Sequence, residues 1–208
     1  MNFANKPLLD QSFYARDSII VAQDLLGKLI VANDVVLRIT ETEAYCWPND
    51  SASHCFKGKT GRNAVMFGAP GHAYIYLCYG LHIMLNVVTN KEGEGAGVLI
   101  RSCEPILGHN IISERRNKAV GISLLAGPGR VTMALNVDRS LNGHPLFSDQ
   151  KLTLRYGPAV EQVLVGPRIG IDYALKKDRE AMYRFADAAS TFVSHKQKFT
   201  TVLKPFTL

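Results

Sequence analysis

The chain has 208 residues, 47% of them hydrophobic, and a net charge of +6 with a pI near 9.2. That length suits one domain, 1–208, with a full core, and no apolar run approaches the ~20 residues that a membrane span requires. Met1 to Gln11 lacks the pattern of a secretory signal, so a cytoplasmic or nucleoid-associated location is expected, and the basic balance fits a polyanionic partner.

Ser18 to Leu26 has helical spacing, with Ile19, Ile20, Ala22, Leu25 and Leu26 on one side and Gly27 as the stop. Strands follow at Lys28–Ala32 and Val35–Glu43, joined by an Asn33-Asp34 turn. In the second strand Arg38, Thr40 and Thr42 alternate with Leu37 and Ile39. Continuing that period puts Glu41 and Glu43 on the face of Leu37 and Ile39, turned inward. Carboxylates are rarely buried without a partner, because stripping water from a charge costs several kcal/mol. An inward Glu43 followed by Tyr45 and then His54 therefore points to an acid/base site. The competing reading is a pair of edge-strand glutamates in solvent or in salt bridges.

Cys46 to Gly71 is loop-rich and carries His54, Lys57, Lys59, Arg62 and Asn63. His72 to Asn90 reads as two apolar strands that reverse at Tyr79-Gly80. By period two, Tyr74, Tyr76 and Cys78 share one face, with Ile75, Leu77 and Tyr79 on the other. Tyr79 falls at the hairpin tip, where large apolar groups are usually avoided. An aromatic wedge on a protruding ribbon suits the separation of stacked bases; three tyrosines packing a sheet core is the alternative.

Val98–Ser102 is a further short strand and Asn110–Asn117 a helix. Gly127-Pro128-Gly129-Arg130 is a turn that opens a second helical stretch within Leu124–Asn136. Strands near Leu152–Arg155 and Arg168–Ile171 and an extended run at Thr191–Val193 complete an α+β pattern. The four cysteines, Cys46, Cys55, Cys78 and Cys103, include no Cys-x-x-Cys pair, which argues against a disulfide framework. Cys46, His54 and Cys55 do not repeat a metal-ligand spacing, and no Gly-rich loop of the nucleotide-binding kinds is present. No metal and no cofactor are expected. Lys57, Lys59, Arg62, Arg115, Arg116, Lys118 and Arg130 are candidate phosphate contacts, each of them otherwise a solvated surface charge.

Ile39-Thr40-Glu41-Thr42-Glu43-Ala44-Tyr45, Ser53-His54, Gly61-Arg62-Asn63, Tyr74-Ile75-Tyr76-Leu77-Cys78-Tyr79-Gly80, Asn86-Val87 and Val98-Leu99-Ile100-Arg101 together resemble the alkyladenine (3-methyladenine or methylpurine) DNA glycosylases. Leu25-Leu26-Gly27-Lys28, Ala126-Gly127-Pro128 and Arg168-Ile169-Gly170-Ile171 extend the resemblance over nearly the whole chain. The departures are Ala174 to Asp178, which lacks a tryptophan common there, Arg184-Phe185 without its preceding proline, and Cys78 in place of an aliphatic residue.

The resemblance implies a curved, mostly antiparallel sheet flanked by helices, with a protruding hairpin. It also implies a DNA repair enzyme that flips alkylated or deaminated purines out of duplex DNA. A Glu-activated water would then hydrolyse the N-glycosidic bond and leave an abasic site. Glu43 corresponds to the general base, and Arg101 to an arginine that positions the water and the carboxylate. A structural salt bridge from Arg101 to Glu104 or Glu41 is the alternative. Tyr45, His54 and Tyr76 correspond to the walls of a slot for the extruded base, where a base–aromatic stack is worth about 1–3 kcal/mol and a cationic alkylpurine gains further attraction.

Tyr79 corresponds to an intercalating tyrosine, with Leu81 and His82 in the minor groove; Arg62 and Arg130 stand as phosphate contacts. Asn86 falls at a position that rejects guanine through its 2-amino group; a strand asparagine satisfying backbone groups is the other reading. No lysine falls at the catalytic positions, so no Schiff base is implied. The implied partner is double-stranded DNA containing damaged purines, bound by a monomer. Two other functions compete. A free-nucleoside hydrolase has little use for Tyr79 at a hairpin tip, and a non-catalytic reader of damaged or single-stranded nucleic acid would not require Glu43 beside Arg101.

Overall fold

Nine strands pair into one sheet in the computed structural model, which describes residues 6–203. They are β1 (Leu29–Ala32), β2 (Val35–Tyr45), β3 (Ala73–Cys78), β4 (His82–Val88), β5 (Gly97–Leu107), β6 (Leu152–Arg155), β7 (Val163–Gly166), β8 (Arg184–Asp187) and β9 (Thr201–Leu203). Every pairing is antiparallel. The spatial order is β3-β4-β5-β2-β8-β7-β9, with β1 bridging β2 and β6. Five short helices flank the sheet: α1 (Gln11–Tyr14), α2 (Ser18–Asp24), α3 (His109–Arg115), α4 (Pro128–Leu135) and α5 (Lys176–Arg179). The class is α+β. No helix among the described residues is long and apolar enough to cross a membrane.

Helix α2 starts where the Asp17 side chain accepts from the Ile19 amide. Ser18, Val21, Ala22 and Leu25 are buried, at the spacing of one helical face. Ile20 does not join them: it is 48% exposed, and Val21 takes the core place expected of it. Each buried Val or Leu contributes about 1.5–3 kcal/mol. The helix ends at Asp24, and the turn after it closes at Gly27, whose φ is +79° and whose Cβ, were there one, would sit 2.2 Å from the Pro158 carbonyl oxygen. Only glycine fits there.

The long strands β2 and β5 form the spine of the sheet, and their register shifts three times, the first between Val36 and Leu37 and the other two around Glu41. Ile39 pairs with Cys103 and Glu41 with Ser102, so β2 advances two residues while β5 advances one; Thr42 then pairs with Ile100, and β5 takes the extra step. Thr40 and Arg101 are thus the additional residues of two compensating bulges. A bulge reverses the face on which later residues point. Ala44, rather than Glu43, therefore continues the core cluster of Leu37 and Ile39. The face expected for the two glutamates is overturned, yet both are fully buried on the other side of the sheet. Thr42 anchors the helix side, its hydroxyl donating to the Ala22 carbonyl at 2.7 Å.

Two expected strands are absent. Arg168–Ile171 is a loop, because Gly170 has φ +77° and Arg168 is held by its side chain instead of a ladder. Thr191–Val193 is also a loop. The strands of this region are β7, β8 and β9 instead. β8 pairs with β2 at its buried end, where Arg184 and Asp187 are charged yet almost inaccessible; charges at both ends hide a strand from an apolar pattern. β5 also runs five residues beyond the expected Val98–Ser102, to Leu107.

Candidate active site

The hairpin β3–β4 reverses through Tyr79, Gly80 and Leu81, with Tyr79 and Gly80 both at positive φ (49° and 70°) and the Leu81 amide donating to the Cys78 carbonyl at 3.0 Å. Tyr79 is 86% exposed, and Leu81 and His82 are exposed beside it. The other face of β3 turns Tyr74, Tyr76 and Cys78 into a cavity of about 460 Å³, while Ile75 joins the main core. Tyr45, His54, Tyr76, Asn86, Tyr79 and Arg101 all line this cavity, and so does Arg62. The structure thus brings together residues from β2, the following loop, the hairpin and β5.

The rings are not parallel plates. His54 meets Tyr76 at 68° with centroids 4.6 Å apart, and Tyr74 lies tilted beside Tyr76 at 30° and 5.4 Å. His54 Nδ1 is 3.1 Å from the Tyr74 hydroxyl. Burial, reinforced by the nearby Arg62 guanidinium, holds the His54 imidazole below its ordinary range. Burial also pushes the Tyr74 phenol up to about 12, with Arg62 opposing. Asn86 donates from Nδ2 to the Tyr74 carbonyl at 3.0 Å, so it satisfies a backbone group while lining the cavity.

Behind these walls lies a buried charge cluster. Glu43 Oε1 accepts from the Ile169 amide at 2.8 Å and lies 3.3 Å from Arg101 Nη1. Glu43 Oε2 accepts from the Tyr45 hydroxyl at 3.0 Å. Glu43 has no exposed surface, but Tyr45, Arg101 and Ile169, its three polar neighbours, all line the cavity. An ionised carboxylate oxygen offers two lone-pair sites, so Oε1 is filled while Oε2 keeps one free.

Glu41 differs. Its oxygens take Arg101 Nε at 3.0 Å, Arg184 Nη1 at 3.1 Å, the Ser102 hydroxyl at 2.6 Å, and the Ser194 amide and hydroxyl at 2.7 and 2.9 Å. Glu104 pairs instead with Arg38. Burial works against the Arg101 charge, but Glu43 and Glu41 outweigh it and keep the guanidinium firmly protonated.

Tyr45 is fixed from both ends. Its hydroxyl is tied to Glu43, and its ring lies 4.7 Å from the guanidinium carbon of Arg168. Burial, then Glu43, raises its phenol well above the usual value. Arg168 itself is held by both oxygens of Asp50 at 2.6 and 2.8 Å and donates to the Ala44 carbonyl. Asp50, Arg168, Arg184, Ser194 and the Ile169 amide were not singled out as site groups by sequence reasoning. The Arg168-Ile169-Gly170-Ile171 and Arg184-Phe185 segments of the resemblance carry Arg168, Ile169 and Arg184 without giving them a site role, and the first of these segments is a loop and not the expected strand.

Arg130 lies apart from the first cavity. With His82 and Arg116 it lines a second cavity, of about 580 Å³, that shares Met84, Arg101 and Pro128 with the first. His82, the first residue after the reversal, packs against Gly129 in the first turn of α4, which braces the tip end of the hairpin.

The sequence profile of a family described as Methylpurine-DNA glycosylase (MPG) matches residues 12–191. The chain is 51% identical over 189 residues to a "DNA-3-methyladenine glycosylase" of Arabidopsis thaliana, covering 90% of this chain and 74% of that protein. It is 49% identical over 187 residues to a "Putative 3-methyladenine DNA glycosylase" of Nitrosococcus oceani, covering 90% and 93%. A Methanocella arvoryzae protein with that same name is 48% identical over 193 residues, covering 90% and 96%.

Proposed function

The chain belongs to the methylpurine-DNA glycosylase family, and we propose that it excises alkylated or deaminated purines from duplex DNA with Glu43 as the base. It is a DNA repair glycosylase of the 3-methyladenine type, a hydrolase whose substrate is DNA. The observation that carries the assignment of Glu43 is its single free lone pair, on Oε2, directly behind an aromatic cavity.

The extruded purine enters between Tyr45, His54 and Tyr76, and Tyr79 fills the vacancy in the base stack, with Leu81 and His82 in the minor groove and Arg130 against phosphate. As the C1′–N9 bond breaks, a water oxygen bonds to C1′ and Glu43 takes one of the water's protons. The carboxylate also stabilises positive charge developing on the sugar. Arg101, 3.3 Å from Glu43 Oε1, fixes the orientation of the carboxylate. Asn86, fixed in place through its Nδ2 bond to the Tyr74 carbonyl, lines the cavity where it clashes with the 2-amino group of guanine.

A duplex carrying hypoxanthine or 1,N6-ethenoadenine, incubated with the protein and then treated with hot alkali, tests this reading. Cleavage at the lesion is expected for the wild type and is expected to disappear in Glu43→Gln. Binding without cleavage in the wild type, or release from free nucleosides alone, would overturn it.

A further inference from the structure

Among the described residues, two charged side chains line the purine cavity, Arg62 and Arg101. Arg101 is neutralised from behind by Glu41 and Glu43. The guanidinium that backs Tyr45, Arg168, is neutralised by Asp50. Arg62 belongs to no ion pair among the described residues. It nevertheless sits 5.7 Å over the Tyr76 ring, and its charge is felt by His54, Tyr74 and Cys78. The walls that receive the base therefore carry one uncompensated positive charge.

That charge bears differently on two kinds of purine. When the C1′–N9 bond breaks, its electron pair stays on N9. A purine alkylated to a cation leaves as a neutral molecule. A neutral purine such as hypoxanthine leaves as an anion and is protonated afterwards from water. In both cases the attacking water supplies oxygen to C1′ and a proton to Glu43. His54, held neutral by burial and by Arg62, is a poor proton donor to the departing base. A fixed cation at the wall, free of any carboxylate partner, favours the departing anion.

We infer that Arg62 sets the choice of lesion: its guanidinium stabilises the anion that a neutral purine becomes on release, and opposes entry of a purine that is already cationic. This rests on the excision reading above, and gives Arg62 a role beyond contact with phosphate.

Single-turnover release of hypoxanthine and of 3-methyladenine, a cationic base without the 2-amino group that Asn86 opposes, each in the same duplex at one salt concentration, tests it in wild type, Arg62→Gln and Arg62→Lys. The hypoxanthine-to-3-methyladenine rate ratio is expected to fall about tenfold in Arg62→Gln, as befits an exposed charge instead of a buried donor. Arg62→Lys, which keeps the charge, is expected to restore most of the ratio. Equal proportional losses on both bases, or an unchanged ratio, overturn the inference while leaving excision intact. So does a wild type that releases 3-methyladenine alone. One that releases hypoxanthine alone supports the inference if Arg62→Gln gains 3-methyladenine release, and overturns it otherwise. Release of neither base by the wild type removes the excision reading and this inference with it.

Discussion

Glu41 and Glu43 lie two residues apart on β2, both without exposed surface, yet five donor groups converge on Glu41 and three on Glu43. Glu41 has no lone pair left for a water, and its partners are structural: two buried guanidiniums, β5 through Ser102, and the 190–195 loop through Ser194. Glu43 touches only groups that line the cavity, and one of its oxygens is half occupied. Burial alone therefore does not tell the two carboxylates apart; the unfilled acceptor site does, and the proposal that Glu43 is the base rests on it. The Thr40 bulge orients both side chains toward the same interior, and Arg101, the extra residue of β5, bridges them.

The comparison breaks most visibly in a pair of isosteric substitutions. Glu43→Gln cannot take a proton, so excision is expected to drop by about 10²- to 10⁴-fold while affinity for a lesion-bearing duplex persists. Glu41→Gln is expected to lower stability by about 3–5 kcal/mol, read from denaturant midpoints, because Arg101 and Arg184 are left buried with too little opposing charge. Its residual activity should follow the folded fraction more closely than that of Glu43→Gln. Should both variants lose the same stability and the same activity, the division of labour drawn here is wrong.

The sequence reached Glu43, the rings and the hairpin tip because each is locally encoded: a strand alternation, tyrosines two apart, and a Tyr-Gly reversal. It missed the face of Glu43, since a bulge depends on how β5 pairs and nothing within Arg38 to Glu43 announces it. It missed β8 because Arg184 and Asp187 read as surface charges until Glu41 and Arg38 are seen opposite them. The Ile169 amide and Ser194 carry no chemical signature at all; distant packing alone makes them donors to the glutamates. Arg168 looked like a strand residue because its anchor, Asp50, is more than a hundred positions away.

The hairpin tip contrasts with this buried cluster in carrying little folding energy. Tyr79 is almost fully exposed, so Tyr79→Ser is expected to leave the melting temperature within about 1–2 °C of wild type, in the range of an inconsequential surface change. Excision from duplex DNA should nevertheless fall about tenfold, the worth of one base–aromatic stack, with a smaller loss on single strands. Equal losses on both substrates would make Tyr79 a wall residue and not a wedge.

The smallest expected effect concerns the cavity wall, where a neutral ring stands in contrast to the charged floor. His54 is held below its ordinary range by burial first and by Arg62 second. Between that lowered value and about 6.5, the unfolded chain binds the proton that the folded ring refuses, so stability rises with pH across this window. The contribution is complete above about 6.5 and lost as pH falls through the folded value. Denaturant midpoints of wild type and His54→Gln, measured from pH 7.5 downward, should therefore converge on acidification, the wild type losing ground to a variant that has nothing to protonate. A difference that stays flat would mean an imidazole the fold does not perturb, and one that widens an imidazole that takes its proton more readily in the folded protein. In that second case the wall would already hold two cations beside Tyr76, and a positively charged purine would be excluded from it altogether.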